Sequence, residues 1–319
     1  MLAHLTIQSY SAFAFAGEQY DSTTVPALTT APALLQTLQS VLYMFCYTRE
    51  FTGGPLPRDE QVHPPDPQFV SELSRRSRSQ DTWDGGWRIY LATSGGEVYA
   101  RKGERQHLAR PGTFLAAAGA ALTPGATISC FCPRESTVAQ PAFYFAFGET
   151  PNDVWDDFRL LRFYFNVPAI HAADLLALLS EQLNRYLIPF QLKTLNAPAM
   201  YGRSDATVLY VARRYFTVVT RLLTGRRSAL AFLSDRTPLF TKPILPGVGA
   251  ADEPGTGESF GMHRCRVVAE ALVEAFAAGV RDEEARLAAV ERRFQAHGLH
   301  LDRPYISPGL TEFPDCEAA

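Results

Sequence analysis

Apolar residues recur along this chain with a period that changes several times, and each change marks an expected element. Over residues 33–47, Leu34, Leu35, Leu38, Val41, Leu42 and Phe45 fall on one face of a helix. Residues 51–67 are rich in proline and glycine and read as a loop, and 67–78 reads as a shorter helix ending in the basic run Arg75, Arg76 and Arg78. The period then drops to two. Residues 87–92 and 97–102, joined by Ser94-Gly95-Gly96, predict a β-hairpin. Further strands are expected at 113–117, 127–132 and 142–147.

The middle of the chain is more informative. Residues 160–167 alternate, with Leu161, Phe163, Phe165 and Val167 on one side and Arg162, Tyr164 and Asn166 on the other. This pattern gives a strand with one core face and one polar, aromatic working face. A helix over 172–186 and a second strand over 189–195, which carries Lys193, follow. Strand, helix and strand in that order place the two strands in one sheet, possible neighbours, with Lys193 on the face of Arg162. Residues 206–223, capped by Ser204 or Asp205, fit a helix, although their first turns also fit a strand. Residues 243–261 form a glycine- and proline-rich loop ending at Ser259, an N-cap for a helix over 261–278. A last helix over 283–297 precedes a proline-rich tail. The expected class is α+β, a mixed or antiparallel sheet flanked by helices. Residues 1–80 are expected to be a mainly helical region, and 81–319 an α+β domain that is either separate from it or continuous with it.

Composition narrows the function. With 46% hydrophobic and 20% charged residues the chain can bury a large core. A net charge of −3 argues against bulk electrostatic binding of nucleic acid. No stretch approaches the roughly 20 apolar residues of a membrane span, and residues 3–17 lack the basic start of a signal peptide. The five cysteines are scattered, and alternation points Cys130 and Cys132 to opposite faces of a strand. Structural thiols in a reducing cytoplasm are expected, with no metal and no cofactor.

Of the 30 cationic side chains only Lys102, Lys193 and Lys242 are lysine. Lysine can lose its proton when it is desolvated or set beside other cations, and arginine effectively cannot. These three positions are therefore candidates for chemistry that guanidinium cannot perform. Four segments carry it. Ser259 opens a helix whose first turn holds His263 and Arg264, an anion pocket or simply a capped helix after a flexible loop. Tyr201-Gly202-Arg203-Ser204-Asp205 offers a fork donor suited to phosphate, with Asp205 to orient it or to cap a helix. Lys242 precedes a proline and is held in extended backbone. Lys102 ends a hairpin strand beside Arg101. The nucleophile elbow, the zinc-protease helix and the kinase motifs are all missing from the sequence, and the seven histidines lack metal-ligand spacing.

These segments, LRFYFNV, PFQLKTLNAPAMYGRSDATVLYV and PLFTKPILPGVGAADEPGTGESFGMHRCRVVAEAL, resemble the HopA-type type III effector family across about residues 85–280. They are most similar to its lyase-like members that accompany kinases in lanthipeptide and thioamitide biosynthesis. The first 80 residues are not a serine-rich secretion leader, which favours that biosynthetic branch. The resemblance implies elimination of phosphate from phosphoserine or phosphothreonine in a precursor peptide, leaving dehydroalanine or dehydrobutyrine. Its implied partners are the precursor peptide and a separate kinase-like protein. In this scheme Lys193 is the base, its pKa lowered by Arg162 and Arg203. Arg162, Arg203, Arg264 and Lys242 bind phosphate, assisted by Tyr201, Asp205 and Tyr164. His263, or else Lys102, donates a proton to the leaving group. The competing expectation is a non-catalytic holder of the precursor's leader, using the Tyr164–Asn166 strand face and an exposed hairpin edge near 97–102. A secreted effector is the third.

Overall fold

The computed structural model describes residues 1–54, 63–153, 156 and 159–314. Much of the loop expected over 51–67 lies outside these residues, as does Cys316. Helices and antiparallel strands are mixed without βα alternation, which makes the fold α+β.

The chain opens with a three-stranded antiparallel meander, β1 (Leu5–Ser9), β2 (Ala12–Phe15) and β3 (Glu18–Asp21), within the region read as mainly helical. Short alternating strands of this kind are masked in the sequence by their small residues and tight turns. Leu5, Ile7, Phe13 and Phe15 turn inward. Then comes α1 (Ala31–Leu42), capped by Thr30, whose side chain accepts from the Ala33 N–H at 3.4 Å. It buries Leu34, Leu38, Val41 and Leu42, each worth about 1.5–3 kcal/mol when fully removed from water. From Tyr43 to Tyr47 the helix widens into one π turn, a local expansion often found at functional sites. Next, α2 (Pro67–Arg76) is capped by Asp66.

A five-stranded sheet follows, formed by β4 (Thr82–Ala92), β5 (Val98–Lys102), β6 (Arg105–Ala109), β7 (Phe114–Ala116) and β8 (Thr127–Cys132) in the order β6-β5-β4-β8-β7. The expected hairpin is β4–β5. Its second strand is not a free edge, because β6 pairs along its other side. Peptide addition at 97–102 is therefore blocked.

The remaining strands form a seven-stranded antiparallel sheet. They are β9 (Glu135–Ser136), β10 (Phe143–Phe147), β11 (Leu160–Phe165), β12 (Gln191–Leu195), β13 (Thr207–Ala212), β14 (Lys242–Leu245) and β15 (Val248–Asp252), in the order β14-β15-β11-β13-β12-β10-β9. The strands of Arg162 and Lys193 share this sheet, but β13 lies between them. The start of 206–223 is thus a strand, and its helix begins only at α4 (Phe216–Gly225). β-branched and aromatic residues in TVLYVA decide for the strand. Likewise the expected 243–261 loop contains the β14–β15 hairpin. Gly247 turns it at φ 72°, where a Cβ would meet the Ser234 carbonyl oxygen at 2.4 Å.

One face of this sheet, with Leu161, Phe163, Phe165, Leu192, Leu209 and Val211, packs beneath α3 (Ala172–Arg185) and α4 in a single core. The other face is divided. Tyr164, Val208 and Ala251 lie under α1 and the largely buried α5 (Phe260–Ala277), which α6 (Glu283–Ala296) backs. The rest of that face is open. No helix among the described residues is long and apolar enough to cross a membrane.

Candidate functional site

Strand register builds the site. Phe145, Lys193, Val208 and Tyr164 are cross-strand neighbours in one row, and Phe147, Gln191, Tyr210 and Arg162 in the next. Lys193 and Arg162 thus share a face because each strand's alternation is in phase with its neighbours. At the open end of that face lies a cleft of about 460 Å³, lined by Lys193, Tyr210, Gln191, Phe145, Phe147, Leu160, Asn152, Ala139, Gln140 and Glu253.

Lys193 is half-buried, with its Nζ 3.8 Å from the centre of the Phe143 ring. Burial, then the nearby Arg162 and Arg203 charges, push its pKa down to about 8, against the opposing pull of Asp205 and Glu253. Roughly a tenth of this lysine is therefore neutral at pH 7, far more than of a lysine at its ordinary pKa. Arg162 is buried, donates from Nε to Glu253, and lies 5.0 Å from the centre of the Tyr210 ring. Arg203 grips Asp205 with both arms, Nε to Oδ1 at 2.7 Å and one terminal nitrogen to Oδ2 at 2.9 Å. The same terminal nitrogen reaches the Tyr43 hydroxyl at 2.9 Å, and that hydroxyl donates to Asp205 Oδ2 at 3.1 Å. Burial alone would raise the Asp205 pKa. Arg203, Tyr43 and Lys193 overcome it and hold the carboxyl below its usual range.

The structure gathers Lys193, Arg162, Arg203 and Asp205 and adds three residues that sequence reasoning missed. Tyr43 arrives from the π turn at the end of α1, where nothing in a helical pattern signals it. Tyr210 was visible as the polar-facing residue of an alternating strand, and Glu253 only as a charge after a strand.

Other expected site residues lie elsewhere. His263 and Arg264 belong to α5, whose N-cap Ser259 accepts from the Met262 N–H at 3.3 Å. That cap is as expected, but both side chains are buried. Arg264 spans the gap to the C-terminal segment, donating to the carbonyls of Pro304 at 2.7 Å and Ile306 at 3.2 Å, and it touches His263 Nδ1 at 2.8 Å. His263 is driven down to about pKa 4, first by burial, then by Arg264 and Arg266. It is therefore neutral at pH 7, with no proton of an imidazolium to give. The main charged groups acting on it (Arg264, Arg266, Glu258, His297) are all different from those acting on Lys193.

Lys242 pairs in register with Ala250, and Ala250 with Phe163, which puts it on the opposite face from Lys193; its ammonium meets Glu312 at 2.9 Å. Lys102 is bound to Asp84 in the five-stranded sheet. Tyr201 is in the core on the far side, bonded to Thr194 at 2.7 Å and to the Leu195 carbonyl at 2.8 Å. Tyr164 does share the Lys193 face, but it is buried against Tyr47 and Phe260 and cannot reach a substrate. Gly261 makes that packing possible, since a Cβ there would sit 2.3 Å from the Tyr47 ring. Among the described residues, no three His, Cys, Asp or Glu side chains are grouped to hold a metal ion.

The profile of the HopA1 effector protein family matches residues 134–306, more than half of the chain. The chain belongs to that family. The matched segment holds the whole Lys193 cluster except Tyr43, and it begins after β8, so the five-stranded sheet lies outside it. Two solved structures are similar, both of Pseudomonas syringae effector proteins. The one from pathovar tomato strain DC3000 is 14% identical, covering 86% of this chain and 95% of its own with a TM-score of 0.48. The other, from pathovar syringae strain 61, is 13% identical, covering 86% and 96%, with a TM-score of 0.44. No curated protein matches the chain.

Proposed function

We propose that this member of the HopA1 family is a lyase, removing phosphate from phosphoserine or phosphothreonine of a precursor peptide modified by a separate kinase-like protein in the cytoplasm. The observation that carries the reading is Lys193, which lines an open cleft and has its pKa lowered to about 8 by burial and by the charges of Arg162 and Arg203. In the reaction its neutral amine takes the Cα proton. The electron pair becomes the Cα=Cβ double bond, and the Cβ–O bond breaks as phosphate leaves. Each guanidinium has five N–H donors. Glu253 and Asp205 aim Arg162 and Arg203, and the remaining donors stabilise the departing oxygens. Tyr210 takes the donor position first expected of His263. Burial, chiefly, raises its pKa, so the phenol stays protonated in the cleft.

One observation favours a second reading, a peptide-holding protein without catalysis. Both arginines already have carboxylate partners, which reduces the positive charge available to a phosphate dianion. A secreted effector role, as the family's description suggests, would use the same cleft on a different peptide. Mass spectrometry of a synthetic phosphopeptide incubated with the protein separates these. Loss of phosphoric acid with the wild type and none with Lys193→Ala supports the lyase. An unchanged peptide, even with leader and kinase present, overturns it.

A further inference from the structure

The five-stranded sheet has one apolar face turned inward, with Trp87, Ile89, Val98, Ala100, Ile128 and Cys130 buried. Strand alternation should leave its other face polar. That face instead carries several large apolar side chains. Trp83, Leu91, Leu108 and Leu115 are 41%, 49%, 36% and 53% exposed.

Register arranges them in rows. Leu91, Tyr99 and Leu108 are cross-strand neighbours in one row. Trp83 pairs with Phe131 in another, their rings 5.3 Å apart edge to face. Between these rows Arg88 lies directly opposite Arg101. Both arginines are exposed, and neither has an acidic partner among the described residues. Like charges directly opposed on a ladder cost stability. Elsewhere the chain pairs its arginines repeatedly, as at Arg162, Arg203, Arg213 and Arg266. An unrelieved arginine pair flanked on both sides by exposed apolar rows is complementary to a ligand with the reverse pattern.

We infer that this face docks a peptide segment in which one or two carboxylates lie between apolar residues. The carboxylates bridge Arg88 and Arg101, one apolar group packs on Trp83 and Phe131, and the other on Tyr99 and Leu108. The two leucines beside Tyr99 and only two cations between the rows fit a peptide better than a nucleic acid, which draws on more phosphate contacts. The assignment rests on the reading of this chain as acting on a peptide, and it gives that peptide a second contact away from Lys193. The sheet is tied to the cleft's rim, because Arg105 at the start of β6 donates to the carbonyl of Asn152 at 3.0 Å and Asn152 lines the cleft.

The test is fluorescence anisotropy of the full chain with a labelled synthetic, unphosphorylated peptide carrying an Asp-Glu pair between leucine and phenylalanine residues. Saturable binding is expected. It should weaken roughly tenfold in Arg88→Glu and Arg101→Glu, and by a similar factor when the peptide's Asp-Glu becomes Asn-Gln. It should be unchanged in Lys193→Ala, so loss of the lyase reading and loss of this one are read separately. Leu108→Ser, with circular dichroism to confirm folding, should weaken binding without altering charge. No binding by the wild type, equal binding by the charge-reversed variants, tighter binding of a single-stranded RNA oligonucleotide, or a dimer that Arg88→Glu dissolves would each overturn the inference.

Discussion

Lys193 and Arg264 are both cations from segments with phosphate-site features, yet the fold puts them to opposite uses. Lys193 stands on a strand at the uncovered end of a sheet face, half-buried, with its charge opposed by Arg162 and Arg203. Arg264 starts a helix laid over the covered end of the same face, fully buried, and its donors go to two backbone carbonyls of the C-terminal segment. Both carry a positive charge in the usual state; what separates them is access to solvent, together with the guanidinium's hold on its proton. A buried cation held by two backbone carbonyls and a neighbouring imidazole is a clamp, whereas one facing a cleft with its proton loosened is available for chemistry.

Four experiments break or sharpen this contrast. The largest effect is expected for Lys193→Met, which removes the base and should lower phosphate elimination by about 10²–10⁴-fold with the fold intact. Single-turnover kinetics with a phosphopeptide checks it, and activity within a few-fold of wild type would remove Lys193 from the mechanism. Next is Arg264→Met, which leaves the Pro304 and Ile306 carbonyls without their donor and should cost about 2–4 kcal/mol in urea unfolding. Elimination per folded molecule should survive this change. A loss of turnover in a stable Arg264→Met protein would return that residue to the active site.

The third concerns pH. If the neutral form of Lys193 acts, kcat/KM rises with pH through an inflection near 8. Glu253 favours the charged lysine, so Glu253→Gln should move the inflection to lower pH. The same shift has a stability sign. Between pH 8 and 10.5 the unfolded chain binds more protons at this lysine than the folded chain, so its buried charge is a cost at lower pH that fades as pH rises. Lys193→Met should therefore stabilise the protein below pH 8 by roughly 1–3 kcal/mol. The smallest effect is expected at His263. Its folded pKa near 4 lies below the ordinary 6.5, so stability present above 6.5 is lost as pH falls towards 4. His263→Gln should flatten that part of the acid-unfolding curve and leave elimination at pH 7 unchanged.

Much of the working face was legible in the sequence because strand alternation has a period of two and leaves little freedom. LRFYFNV placed Arg162 opposite the core, and the scarcity of lysine singled out Lys193. The helices over 33–47, 172–186 and 261–278 were legible from their spacing and caps. What failed was assembly at a distance. Nothing local says that β13 inserts between the strands of Arg162 and Lys193, that a π turn brings Tyr43 to Arg203 and Asp205, or that α5 buries the histidine chosen as the acid.

The sequence by itself determined an α+β class, the faces of its strands, and a short list of cations able to do chemistry. The tertiary structure alone decided which of those cations meets solvent and which carbonyl or carboxylate holds each of the others. The physical reason is that alternation and capping are set by neighbours within a few residues, whereas desolvation, and with it the lowered pKa of Lys193, is set by groups from distant strands that only packing brings within reach.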